Sequence, residues 1–271
     1  MNAPSKAEVE APYVLRSDAE AIATLTLNRG DRLNPLSTAM LAALQSELDR
    51  LAADSSIRAV IIAGAGNHFC AGHDLREMRA RAGESADKGW QSALFAQCSR
   101  VMLTLIRLPQ PVIARVQGVA VAAGCQLVSM CDLAVAADVA RFALPGIASG
   151  IFCTTPGVGV ARNLARKHAL EMLFTGDLID AATAERWGLV NRVVPLAELD
   201  RAVGALARKV ASHSPAVVKL GKAFFYEQVE KGLADAYALA SEGMACNMML
   251  EDAAGGIDAF LAKRPPDWKN R

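Results

Sequence analysis

Long apolar runs are missing from this 271-residue chain. No stretch of about eighteen residues is free of charges or turn residues, so no membrane span is expected. Metal-ligand spacing is missing too. The six cysteines stand at 70, 98, 125, 131, 153 and 246, none as C-x-x-C, and no two histidines are spaced as ligands. A metal site is therefore not expected, and the pattern points to reduced thiols in a cytoplasmic protein. A strong charge balance is also absent. The net charge is +1, which argues against a nucleic-acid or anionic-membrane partner. Residues 1–11 have no basic region followed by an apolar one, so they read as a short disordered tail rather than a secretory leader. Aromatics make up only 5% of the chain, while 52% of residues are apolar. Small aliphatic side chains must therefore build the core, in one large α/β domain or one domain with a helical appendage.

Strand and helix patterns alternate through the first two thirds. Residues 21–27, 59–63, 112–116 and 133–136 are short, β-branched or apolar runs and read as strands. Met40, Leu41, Leu44, Leu48 and Leu51 fall on one helical face. A second helix is expected from Ala86 to Ile106, stopped by Pro109 and Pro111. Thr155-Pro156 reads as a helix start, with the hydroxyl as cap. One helix ends near Gly176, and another runs from Asp180 to Gly188. This alternation predicts parallel α/β structure with crossovers. After Pro195 only helical patterns follow, in four stretches. The chain therefore divides into a core over 12–195 and a helical region over 196–271. That region reads either as an oligomerisation arm or as helices capping the same core.

Three loops follow three strands, where ligand sites of parallel α/β proteins gather. The first runs from Asn67 to Leu75, the second from Gln117 to Gln126, and the third covers 142–146 and 150–157. The first two are small-residue turns leading into helices. Such turns leave backbone N–H groups free to face an oxygen anion. An ordinary strand-to-helix turn, or tight helix–sheet packing, would use the same residues. Several motifs are absent. Gly64-Ala65-Gly66 lacks the third glycine of a dinucleotide loop, and there is no G-x-S-x-G or phosphate-loop sequence. His168, His213, Arg162, Arg166 and Lys167 read as solvated helix faces.

Taken together and in order, these segments resemble the crotonase, or enoyl-CoA hydratase/isomerase, superfamily. The resemblance begins at Leu27-Asn28-Arg29 and Leu33-Asn34-Pro35. It continues through FCAGHDL, PVIARVQGVAVAAGCQLVSMCDLAVA and LFTGDLIDAATAERWGLVNRVVP, and it ends in FLAKRPPDW. AAGCQL, SGIFCTTPGV and LGKAFFY are similar to the branch called enoyl-CoA hydratase domain-containing protein 3. The resemblance implies a crotonase-like ββα superhelix with a helical C-terminal region, assembled as a homotrimer or homohexamer. It implies an acyl-CoA substrate, with coenzyme A as part of that substrate and no permanently bound cofactor. The backbone N–H groups of His73 and Ala123 would form an oxyanion hole for the thioester carbonyl. Arg29, Cys70, Ala71, Gly72, Asp74, Leu75, Arg76, Gly124 and Lys263 would contact coenzyme A or substrate. For Arg29 and Lys263, plain surface charge is the alternative reading.

The chain departs from the family at two positions. Hydratases of this family place a glutamate where Gln126 stands and another where Gly146 stands. An amide can bond a water but cannot take its proton, and glycine has no side chain. Weak hydratase activity is therefore expected. Cys153, Thr154 or Thr155 could occupy the vacated space. A thioester hydrolase using the third loop and a non-catalytic acyl-CoA-binding protein are the alternative readings. For Cys153 a small apolar filler is the plainer one.

Overall fold

The structure is a computed structural model that describes residues 11–81 and 88–271. The chain runs β1 (Val14–Ala19), β2 (Ile22–Leu27), α1 (Thr38–Ala52), β3 (Ala59–Gly64), α2 (Leu75–Ala80) and α3 (Lys88–Arg107). It continues with β4 (Val112–Val116), β5 (Val119–Val121), α4 (Ala123–Met130), β6 (Leu133–Ala137) and β7 (Arg141–Ala143). Then follow α5 (Thr154–Asn163), α6 (Arg166–Thr175), β8 (Ile179–Asp180), α7 (Ala181–Trp187) and β9 (Arg192–Val194). Four helices close the chain: α8 (Leu199–Ala211), α9 (Pro215–Gln228), α10 (Leu233–Met248) and α11 (Glu251–Leu261). Residues 1–10 of the expected tail, and the expected first two residues of α3, lie outside the described residues.

Six strands form the main sheet in the order β1-β2-β3-β4-β6-β9. β1 and β2 are an antiparallel pair, and the remaining neighbours are parallel. The burial of the central strands follows the two-residue pleat. Val60 and Ile62 of β3, with Ala114 of β4, enter the main core; Ala59, Ile61 and Ile113 face the other way. That second face is covered by α8 through Leu199, Val203, Ala207 and Ala211. Both faces are thus dry, which is why these strands read as continuous apolar runs.

A second, shorter row of strands decides where the loops meet. It has the order β5-β7-β8, with β5 and β7 parallel. The first loop extends this row: Cys70 bridges Ala120, and His73 bridges Leu36. Each turn of the superhelix therefore contributes one long strand to the main sheet and one short extended piece to the row beside it. This is the ββα architecture.

Two expectations need correction. The helix after the third loop begins at Thr154, with Cys153 at the cap position and no side-chain cap bond. Thr155 lies inside the first turn, where the missing N–H of Pro156 costs little because first-turn N–H groups have no helical partner. Also, β1, β5, β7, β8 and β9 were not expected as strands. β1 has one buried residue in a polar run, and β5 and β7 are three residues each.

α8 belongs to the packing of the sheet, and α9 is tied to the core by a buried ion pair. Lys222 Nζ donates to Asp132 Oδ2 at 2.7 Å and to the carbonyls of Leu105 (2.8 Å) and Gln110 (3.0 Å). Tyr226 donates to Asp132 Oδ1 at 2.8 Å, and the Val112 N–H donates to Oδ2 at 2.6 Å. Every charge is hydrogen-bonded, the condition under which a buried pair is tolerated. The last residues are strapped back by Asp252, which accepts from the N–H groups of Lys269 (2.6 Å) and Asn270 (3.0 Å). Just after α10 and on α11, by contrast, Met249 is 85% exposed and Phe260 81%.

Candidate functional site

The first and second loops pack against each other through two glycines. Gly72 has φ +90°, and a Cβ there would lie 2.9 Å from the Ala122 Cβ and 3.1 Å from the Ala123 nitrogen. At Gly124, a Cβ would lie 2.1 Å from the Cys70 carbonyl oxygen. These contacts bring His73 and the start of α4 to one place.

Two backbone N–H groups, of His73 and Ala123, belong to these segments. Ala123 is the first residue of α4, so its N–H has no carbonyl within the helix. Ala122 before it has φ 49° and ψ −121°, a conformation disfavoured for any residue with a Cβ. In the bridge of His73 to Leu36, the Leu36 N–H donates to the Gly72 carbonyl at 2.8 Å. In a parallel ladder of this phase, residues 72 and 74 face Leu36. The N–H of His73 itself points to the opposite edge, toward the end of β5.

Two side chains that the sequence reading gave no role hold the first loop in shape. Asn34, fully buried, donates to the carbonyls of Ala65 (2.9 Å), His68 (3.0 Å) and Phe69 (3.1 Å) and accepts from the Arg29 N–H (2.9 Å). Gln117 donates to the Gly64 carbonyl at 2.6 Å. Their signal was only an amide side chain beside each glycine-rich turn.

The His73 ring sits edge-on to Phe95, with centroids 5.5 Å apart. Its Nδ1 lies 3.1 Å from the Leu36 carbonyl oxygen, which can only accept, so Nδ1 carries the proton and Nε2 the lone pair. Burial lowers the His73 pKa; the Leu36 carbonyl and Glu77 oppose this without cancelling it. The unfolded chain therefore takes up a proton here near pH 6.5, while the folded chain resists it. This contribution to stability is whole above about pH 6.5, falls as the pH drops through that value, and levels off below the depressed folded value. The melting temperature is expected to fall between about pH 7.5 and 5.5, and less steeply in His73→Asn. Equal slopes for parent and variant would contradict a buried neutral imidazole.

Gln126 lies on the first turn of α4, 4% exposed, with Oε1 buried and unpartnered. Gly146 follows β7, which pairs with β5, so it stands at the neighbouring strand end. Its missing side chain has no free space. A Cβ there would be 2.3 Å from the Ile151 carbonyl oxygen and 2.7 Å from Cys153 Sγ. Cys153 is 6% exposed, and burial raises its pKa, against a lowering by the Gly146 N–H. It is held as a thiol, not as the nucleophilic thiolate. Thr154 is exposed, and its hydroxyl donates to the Phe152 carbonyl at 3.3 Å; Thr155 is half-buried.

The expected coenzyme A contacts differ in exposure and in their partners. Ala71 is half-buried, and Leu75 and Arg76 are exposed at the start of α2. Asp74 caps α2, accepting from the N–H groups of Arg76 (2.9 Å) and Glu77 (3.2 Å). Cys70 is 0% exposed, with its thiol pushed up to about 12 by burial, and its side chain packs between the two loops. Gly124 is buried for the same packing reason. Arg29 is engaged with the N-terminal segment. It lies 3.7 Å over the Tyr13 ring and donates to the carbonyls of Ala11 (2.7 Å) and Pro12 (3.1 Å). Lys263 is exposed beyond α11.

Cavities of about 530, 430 and 460 Å³ lie between α1 and α3, between the main sheet and α8, and beside α9. None is lined by His73, Ala123 or Gln126. His73 Nε2 and Gln126 Oε1 are enclosed and have no hydrogen-bond partner. No helix among the described residues is long and apolar enough to cross a membrane.

Residues 17–271 match the sequence family described as Enoyl-CoA hydratase/isomerase. The chain is 46% identical over 251 residues to human enoyl-CoA hydratase domain-containing protein 3, mitochondrial, covering 93% of this chain and 82% of that one. It is 35% identical to the 2,3-dehydroadipyl-CoA hydratase of Escherichia coli strain K12, covering 94% and 98%. Among solved structures, an enoyl-CoA hydratase of Mycobacterium smegmatis superposes with a TM-score of 0.92 at 51% identity, covering 95% and 99%. The crystal structure of human enoyl-CoA hydratase domain-containing protein 3 gives 0.90 at 44%, covering 94% and 100%. With the ββα superhelix and the two facing loops, these matches establish that the chain belongs to the enoyl-CoA hydratase/isomerase family.

Proposed function

We propose that this protein binds an acyl-CoA thioester with its carbonyl oxygen between the N–H groups of His73 and Ala123. The observation that supports the reading is the Gly72–Ala122–Ala123 contact, which packs the loop that carries His73 against the first residue of α4. Fixed donors stabilise charge that moves onto that oxygen, as an enolate or a tetrahedral oxyanion. They do so without reorganising during the reaction. Hydration needs more: a group that takes a proton from water and one that returns it. Gln126 and Gly146 supply neither.

A binding role without turnover is favoured by one specific observation. The nearby carboxylates of Asp74 and Glu77 are committed to helix starts, Asp74 at α2 and Glu77 at the Thr38 N–H of α1. Thioester hydrolysis through Cys153 has less support, because its buried thiol is held in the protonated form. The apolar residues exposed on α10 and α11 support assembly as a homotrimer or homohexamer, and light scattering measures which.

The direct test is thermal. A ligand that binds only the folded state must raise its melting temperature. Butyryl-CoA at about 100 times its dissociation constant is expected to add about 2.7 kcal/mol. An unchanged melting curve at millimolar ester would overturn the acyl-CoA reading.

A further inference from the structure

The first loop lies along β5 as a short parallel ladder. The Val121 N–H donates to the Cys70 carbonyl at 3.0 Å, and the Cys70 N–H donates to the Val119 carbonyl at 3.1 Å. The next rung of such a ladder would run from the Val119 N–H to the His68 carbonyl. That carbonyl is occupied elsewhere, accepting from Asn34 at 3.0 Å and from Gln117 at 3.4 Å. The ring of the same residue takes the rung instead: the Val119 N–H donates to His68 Nδ1 at 3.1 Å. A backbone N–H can only donate, so Nδ1 holds the lone pair and Nε2 the proton. The chain makes room for the ring at Gly118, with φ +57°, where a Cβ would stand 2.6 Å from His68 Nδ1 and 2.2 Å from the Asn67 carbonyl oxygen.

The two segments joined by this rung are the ones that end in His73 and Ala123. Resting on the acyl-CoA reading above, we infer that His68 is a positioning residue for the thioester. Its Nδ1 fixes the register of the first loop against the second, and with it the spacing of the His73 and Ala123 N–H groups. It touches no ligand in this role. The requirement is for an acceptor two bonds from Cβ, where Nδ1 stands. Without it the Val119 N–H loses its partner, and a half-buried donor left unpaired favours a shifted ladder. A binding constellation loses affinity once its supports let it drift by about 0.5 Å.

Three variants of the full chain test this, with butyryl-CoA affinity read by titration calorimetry at a temperature where all are folded. His68→Asn puts an amide oxygen two bonds from Cβ and is expected to keep the parent affinity within about threefold. His68→Gln carries the same oxygen one bond further out, and His68→Leu has no acceptor. Both are expected to bind the ester about tenfold more weakly. A merely structural bond would lower the melting temperature of the Gln and Leu variants and leave the affinity of the folded chain unchanged. Affinities of those two within about twofold of the parent, or an Asn variant as weak as the Gln variant, would therefore overturn the inference. If the Leu variant does not fold, the comparison of Asn with Gln decides. Ring ¹⁵N shifts of the parent add a test that needs no variant: a proton on His68 Nδ1 would overturn the inference. If the parent binds and all variants bind alike, only the role of His68 falls. If the parent binds no ester, the acyl-CoA reading falls with it.

Discussion

Crotonyl-CoA mixed with the purified protein is expected to lose its conjugated-thioester absorbance at least about 10⁴-fold more slowly than with a hydratase that carries both glutamates. General acid–base groups contribute about 10² to 10⁴ each, and both positions are empty of carboxylate. Restoring the pair is not a matter of two substitutions. Gln126→Glu replaces an amide by a carboxyl of the same shape. Gly146→Glu must instead push the Ile151 carbonyl and the Cys153 thiol from contacts of 2.3 and 2.7 Å. Backbone displaced in this way costs about 1–3 kcal/mol, and the new carboxyl then starts from a displaced loop. The double variant is therefore expected to melt below the parent and to remain within about tenfold of its rate. A parent that hydrates crotonyl-CoA as fast as a glutamate-bearing hydratase would mean that another residue carries the proton. A double variant that gains 10³-fold or more in rate would mean that the third loop yields freely.

Gly124→Ala is expected to be strongly destabilising. The added carbon would stand 2.1 Å from the Cys70 carbonyl oxygen and 2.9 Å from the Cys70 Cβ. Both belong to a segment pinned in place, because the Cys70 carbonyl accepts from the Val121 N–H at 3.0 Å and the Cys70 N–H donates to the Val119 carbonyl at 3.1 Å. The first turn of α4 must therefore part from the first loop. A loss of about 3 kcal/mol is expected, with a melting temperature lower by roughly 6–12 °C. The shift on adding butyryl-CoA should also vanish, since the two N–H groups separate. The control is Gly221→Ala on α9, where nothing lies within 4 Å of the added carbon. That change is expected to stabilise by about 0.5–1 kcal/mol, because glycine loses more freedom in a helix than alanine does. If Gly124→Ala melts with the parent and still binds the ester, the contact between the loops is not what sets the site.

Local rules reached far in this chain. The apolar spacing of Met40, Leu41, Leu44, Leu48 and Leu51 marked α1, and all five are buried. The runs at 59–63 and 112–116 are strands because both faces of the sheet are covered. Where a segment has little local signal, reading fails. β1 is a polar edge with one buried residue, and β5 and β7 are too short to show a pleat. They exist because neighbours from distant turns pair with them. The cap of α5 was placed two residues too late, since Cys153, held by burial beside Gly146, ends the loop first.

By itself, the sequence determined the central strands and most helices, the motifs that resemble one family, and the absence of a side-chain carboxylate at positions 126 and 146. These follow from spacing and residue type along one line of chain. The tertiary structure decided what the loops do. Gly72 and Gly124 are identical letters to Gly221, yet two of them are the only residues that fit between adjacent backbones, and the third touches nothing. Cys70, expected near the ligand, has its side chain buried between the two loops. The space that Gly146 leaves is taken by a thiol seven residues later. Each of these depends on which atoms from remote parts of the chain fill the neighbouring volume, and close packing fixes that volume only after the superhelix has closed.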